Sequence, residues 1–174
     1  MEQRPIKMAQ PDDLDQLLRL IDAGRQRMRA EGNTVQWSGG QPSVQQVEAT
    51  IAAGEAFLMY DETGHAVATF VLQTAPEANY AEIEGAWLNE EPYLTIHRVA
   101  AEASAHGVMR AIQSFAETKA AERGIANLRI DTHERNESMR HVIALLGYTY
   151  CGHIVVSDGT LRLAFQKGLD NVAQ

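Results

Sequence analysis

The run from Leu94 to Ala126, LTIHRVAAEASAHGVMRAIQSFAETKAAERGIA, constrains this chain more than any other feature. It begins as an apolar segment of the kind that is buried as a strand. It passes through a short loop of small residues and continues as an amphipathic helix. A helix leaves its first backbone N–H groups without intrahelical partners and carries partial positive charge at that end. A small-residue loop opening such a helix is therefore a ready place for a phosphate. One further strand leads to Asp131-Thr-His-Glu-Arg-Asn136-Glu-Ser-Met139, and then to Leu146-Gly147-Tyr148.

The rest of the chain supplies elements around this core. Residues 3–8 are expected as a first strand. A helix follows from Pro11 to about Ala30, with proline and acidic residues in its first turn and Leu14, Leu17, Leu18 and Ile21 on one face. Ser43 and Gln46 form a capping box for a second helix to about Ala53. Residues 56–60 and 65–74 are expected as a hairpin around Asp61-Glu-Thr-Gly64. Tyr80 to Leu88 reads as strand or loop. Residues 93–101 are a strand and about 106–123 a helix, with Val108, Ile112, Phe115 and Lys119 along one side and Gly124 just past its end. Residues 127–132 are a strand, and Asn136 opens a short helix closed by Gly147. Residues 148–156 and 161–167 form a last hairpin. The order predicts an α/β (α+β) protein: one domain, residues 1–174, with a mixed, largely antiparallel central sheet flanked by about four helices.

Composition limits the function classes. The length of 174 residues suits one domain with a sizeable core. A net charge of −8 argues against nucleic acid as a partner. No apolar run is long enough to span a membrane, and the N-terminus lacks the apolar core of a secretion signal. A lone cysteine, Cys151, gives no internal disulfide. A cytoplasmic protein of bacterial type is expected.

With these pieces in order, the chain resembles the GNAT-type N-acetyltransferases, in particular a bacterial subset with a relaxed pyrophosphate loop. Three pieces carry the resemblance. The strand Ile96-His97-Arg98-Val99-Ala100 looks like the family's central strand. There, a splay frees backbone N–H groups for the thioester carbonyl and the pantetheine arm, and Val99 and Ala101 are the matching positions. The loop Ser104-Ala105-His106-Gly107-Val108-Met109 stands where the family has Gln/Arg, two residues, Gly, one residue, Gly/Ala. Gly107 alone matches. The phosphate ligands there are main-chain amides, Gly107 permits close approach, and His106 and Arg110 add positive charge. Asn136, Met139 and Gly147-Tyr148 match the family's last helix, where the asparagine contacts the pantetheine or the adenosine-side phosphates. The resemblance implies acetyl-CoA as co-substrate, an amine acceptor, no metal, and a possible homodimer.

Attack on a thioester needs a neutral amine, donors for the developing oxyanion, and a proton for the departing sulfur. Many family members supply that proton from a tyrosine in the last short helix. The corresponding position here is Ile143. Tyr148 is a candidate donor, with packing under the cofactor as its structural alternative. Glu84, between Ile83 and Trp87, is the expected base if a partly apolar cleft raises its pKa. A solvated strand face is the alternative. His97 is the second choice of base, with a buried histidine fixing the strand as its alternative. Trp37 and Trp87 either line the acceptor pocket or serve as packing anchors. His133 and His141 have no cysteine partner and do not make a metal set. The rival function is a non-catalytic acyl-CoA sensor or interaction domain on the same fold, motivated by Ile143 and the single loop glycine.

Overall fold

The computed structural model describes residues 4–170. Its elements are β1 (Ile6–Met8), α1 (Leu14–Ala30), α2 (Val44–Ala52), β2 (Ala56–Tyr60), β3 (Ala66–Gln73), β4 (Glu84–Gly85), β5 (Leu94–Ala101), α3 (Val108–Glu122), β6 (Asn127–Thr132), α4 (Glu137–Leu145), β7 (Thr149–Val155) and β8 (Leu161–Gly168). The strands hydrogen-bond as one eight-stranded sheet in the order β1-β2-β3-β5-β6-β8-β7-β4. The α/β reading with a mixed, largely antiparallel sheet and four α-helices holds. The expected first strand began at Gln3, which lies outside the described residues; its described part is β1.

The chain forms two compact units. The first comprises Met1–Leu72 and Arg98–Ile112, the second Gln73–His97 and Gln113–Gln174. Strand β5 thus gives Leu94–His97 to the second unit and Arg98–Ala101 to the first.

In the first unit, β2 pairs antiparallel with β1 (Lys7↔Leu58) and with β3 (Leu58↔Thr69). Leu17, Leu20 and Ile21 of α1 and Val47 and Ile51 of α2 bury their side chains with Ala56 and Leu58 of β2. Each such side chain removed from water contributes about 1.5–3 kcal/mol. The helical periodicity of the sequence creates this stripe. The expected capping box is present: Ser43 Oγ accepts from the Gln46 amide at 3.2 Å, and Gln46 Oε1 accepts from the Ser43 amide at 2.7 Å. Gly24 lets α1 approach β5. A Cβ at Gly24 would lie 2.9 Å from the Ala100 Cβ and 3.2 Å from the Trp37 ring.

In the second unit, β6 pairs antiparallel with β8, and β8 with β7. Strand β5 runs parallel to β6, and their ladder consists of Leu94↔Leu128 and Thr95↔Arg129. The ambiguous stretch 80–88 resolves into a 3-10 turn at Ala78–Tyr80 and the two-residue strand β4 on β7. Gly85 and Gly152 face each other there at φ 130° and 142°. A Cβ on Gly85 would sit 2.2 Å from the Cys151 carbonyl oxygen, and one on Gly152 2.1 Å from that of Glu84. Only a glycine pair allows this approach. Helix α3, which belongs to the first unit as far as Ile112 and to the second from Gln113, buries Val108, Met109, Ile112, Gln113, Ala116 and Ala120. The expected stripe therefore continues through alanines, while Phe115 and Lys119 stay partly exposed and pack on each other, Nζ 5.6 Å from the ring.

Candidate functional site

In the first unit the relevant backbone starts at Arg98, which has φ 51° in mid-strand. Positive φ at a non-glycine residue is uncommon and breaks the regular repeat of a strand. Arg98 Nη1 donates to the Gln46 carbonyl at 3.3 Å. Val99 follows, half-buried, and Ala101 is buried. Beyond β5, the Ala105 amide donates to the Glu102 carbonyl at 3.0 Å, turning the chain. The Glu102 carboxylate takes an ion pair from Arg19 and a 2.8 Å contact from His65 Nε2, which ties the loop's first residue to α1 and to the turn before β3.

Gly107 then takes φ 69°, and its carbonyl accepts from the Ala111 amide at 3.1 Å to begin α3. A Cβ at Gly107 would meet nothing within 4 Å, so the space beside the first turn is open. His106 and Arg110 are exposed, and Val108 and Met109 are buried. The amides of this turn, open space beside them and two exposed basic side chains fit a pyrophosphate.

Trp37 lies in the same unit at φ 60°, packed on the α1–α2–β2 core with its ring near Gly24. A left-handed tryptophan carries backbone strain that packing must hold.

In the second unit the titratable side chains converge on His97, whose side chain is 21% exposed. Its Nε2 lies 2.9 Å from Glu77 Oε2, and its Nδ1 lies 3.8 Å from Asp131 Oδ1. The Tyr80 hydroxyl donates to the same Asp131 oxygen at 2.5 Å. The hydrogen bond from His97, with help from the Asn79 amide, holds the Glu77 carboxyl at about 2 against the opposing pull of burial. Burial, then the Asp131 carboxylate, pushes the Tyr80 hydroxyl far above its ordinary range.

An aromatic wall supports the cluster. Tyr80 packs on Trp87, Tyr93 and His97, with ring centroids 5.0, 6.2 and 6.0 Å away. The Tyr93 hydroxyl accepts from the Glu77 amide at 3.1 Å. The buried guanidinium of Arg129 lies between Trp87 and Tyr93, 4.0 and 3.9 Å from their ring centroids. Trp87 donates Nε1–H to the Tyr80 carbonyl at 3.1 Å, so it anchors this wall.

Glu84 is exposed on β4, opposite His153. Its side chain lies on a solvated strand face rather than in a partly apolar cleft. Tyr148 is buried and donates its hydroxyl to Gln113 Oε1 at 2.8 Å. Burial pushes that hydroxyl well above its ordinary pKa. Asn136 caps α4, its Oδ1 accepting from the Met139 amide at 3.2 Å. Met139 is half-buried, and Ile143 is fully buried. Cys151 is buried in β7, and burial raises its thiol pKa.

Glu77, Tyr80, Asp131, Tyr93 and Arg129 were not among the expected site residues. Nothing in the spacing of TAPEANY links Glu77 to a histidine twenty positions on. The nearest signal was Asp131 closing a strand beside a histidine-bearing segment.

The element order and the sheet define the α/β fold of the GNAT acetyltransferases. Neither a protein-family model nor a curated protein sequence matches the chain. Solved structures do. A GNAT-family acetyltransferase from Streptococcus agalactiae is 31% identical, over 97% of this chain and 96% of that one, with a TM-score of 0.83. The chain belongs to the GNAT family of acetyltransferases. A GNAT-family acetyltransferase from Listeria monocytogenes shares the fold at 22% identity, over 95% of each chain, with a TM-score of 0.74. The ribosomal-protein-S5-alanine acetyltransferase from Vibrio fischeri shares it at 12% identity, over 100% of this chain and 97% of that one, with a TM-score of 0.64.

Proposed function

We propose that the protein transfers the acetyl group of acetyl-CoA to a primary amine by direct attack, with His97 as the base. The observation that carries this reading is the placement of a partly exposed, carboxylate-paired histidine on β5, two residues before Val99, in a chain of the GNAT family.

Acetyl-CoA supplies an activated acyl carbon. The backbone at Val99 and Ala101 is assigned to the thioester and pantetheine. The amides of residues 106–110, with the side chains of His106 and Arg110, are assigned to the pyrophosphate. Asn136 and Met139 are assigned to the pantetheine side. The amine reacts as RNH₂. Its nitrogen forms the C–N bond to the acyl carbon as the C–S bond breaks. The proton lost by nitrogen goes to His97 Nδ1 and reaches the departing sulfur through water, so the products are RNHCOCH₃ and CoA thiol. Water as the relay replaces the absent tyrosine at 143. A cytoplasmic location, where acetyl-CoA is available, belongs to the same reading, and among the described residues no helix is long and apolar enough to cross a membrane.

Paired variants test the base. His97→Gln is expected to lower kcat/KM for the amine by about 10²- to 10⁴-fold, the range of general-base catalysis, with acetyl-CoA affinity retained. Glu84→Gln is expected to leave kcat/KM and its pH profile unchanged. The reverse pattern transfers the role to Glu84. Acetyl-CoA binding without turnover of any amine favours an acyl-CoA sensor.

A further inference from the structure

We infer that Glu77 is a positioning residue for His97: it accepts the Nε2 proton and thereby leaves Nδ1, on the Asp131 side of the ring, as the atom that receives the amine proton. This inference rests on the reading of His97 as the base.

The geometry fixes the tautomer. Glu77 Oε2 lies 2.9 Å from Nε2, and the Glu77 carboxyl is ionised across the physiological range. An ionised carboxylate only accepts, so the hydrogen between the two atoms sits on Nε2. Neutral imidazole carries one N–H, and Nδ1 is then the bare nitrogen. Asp131 Oδ1 stands 3.8 Å from Nδ1. That is too long for a hydrogen bond, so Asp131 leaves the lone pair free while remaining close enough to attract an imidazolium. The arrangement follows the logic of a carboxylate that orients a catalytic imidazole and stabilises its charged form.

Glu77 is itself held firmly. Its other oxygen accepts from the Asn79 amide at 3.1 Å and from Asn79 Nδ2 at 2.9 Å, and its own amide donates to the Tyr93 hydroxyl. Tyr93 is in turn stacked on Arg129. With the carboxylate held at three points and the backbone amide at a fourth, the imidazole plane is pinned too. The charged and titratable groups around His97 are Glu77 ahead of the 3-10 turn, Tyr80 within it, Tyr93 just before β5 (reaching Glu77) and Asp131 on β6.

The test combines NMR and kinetics on the full chain. In ¹⁵N spectra of the histidine ring, neutral wild-type His97 is expected to carry its proton on Nε2. Removing the Glu77 charge in Glu77→Gln destabilises the imidazolium. His97 should then titrate at lower pH, and the acid limb of kcat/KM should move the same way. The plateau should fall on the order of 10²-fold, the cost of a misdirected catalytic group. Glu77→Asp should restore the titration toward wild type. A wild-type Nδ1–H tautomer overturns the inference, and so does an unchanged titration in a folded Glu77→Gln protein. The tautomer is read on the wild type, so it is decided even if a variant misfolds. Failure of the wild type to acetylate any amine counts instead against the acetyltransfer reading.

Discussion

Tyr148 separates a structural aromatic from a proton donor. Its hydroxyl is buried against Gln113, whose Nε2 donates to Glu117 Oε1 at 2.8 Å. Glu117 in turn takes Lys167 at 2.9 Å. Tyr148→Phe leaves a buried acceptor unpaired and should cost about 1–3 kcal/mol. The expected outcome is a lower Tm with kcat preserved, measured by thermal unfolding beside steady-state rates. A selective loss of kcat at unchanged Tm would instead make Tyr148 the acid. At this scale the sequence offered residue types and left their surroundings open. His97 was visible as a titratable residue on the strand expected to meet the cofactor. Its partners were not, because Glu77 and Asp131 reach it through a 3-10 turn and a parallel neighbour rather than through any local period.

Elements with a strong period or a cap were legible. Helix α1 followed its leucine stripe, α2 its Ser43–Gln46 box, and β6 matched residues 127–132, which lie between the helix-ending Gly124 and the cap residue Asn136. Strand β4 was not legible, because two residues cannot show alternation. It exists because Gly85 and Gly152 let two backbones approach to distances that any Cβ would forbid. Gly85→Ala or Gly152→Ala should separate β4 from β7. The left-handed backbone alone costs about 1–3 kcal/mol. Loss of slow amide exchange at Ala86, whose N–H donates to the Cys151 carbonyl at 3.0 Å, is the direct readout. Retained protection would mean the pairing tolerates a side chain. The stripe on α3 shows a different limit. Phe115 looked like a core residue by hydrophobicity, but Ala116 and Ala120 take the buried positions. Close packing selected small residues there over a large one.

For the whole molecule, element order was the most legible property, since most elements carry their own period or cap and are bounded by turn residues. On the proposed reading, the loop at 104–109 keeps a phosphate site without the family motif, because the ligands assigned to it are main-chain amides that any sequence supplies once Gly107 turns the chain at φ 69°. Side-chain identity at Ser104 and Met109 therefore constrains the site less than the backbone path does. The acceptor is different in kind. Its recognition depends on side chains and loops whose partners are not encoded in spacing, so the amine is to be found by measurement. The account's central claim is acetyl transfer from acetyl-CoA to an amine by a histidine-based site. Thiol release from acetyl-CoA by the full chain, followed across a panel of small amines, amino acids and peptides with mass-spectrometric identification of the product, tests it most directly. The account predicts amine-dependent thiol release, an N-acetylated product in equal amount, and loss of both in His97→Gln. Thiol release at the same rate without amine, or amine acetylation undiminished in His97→Gln, would contradict it.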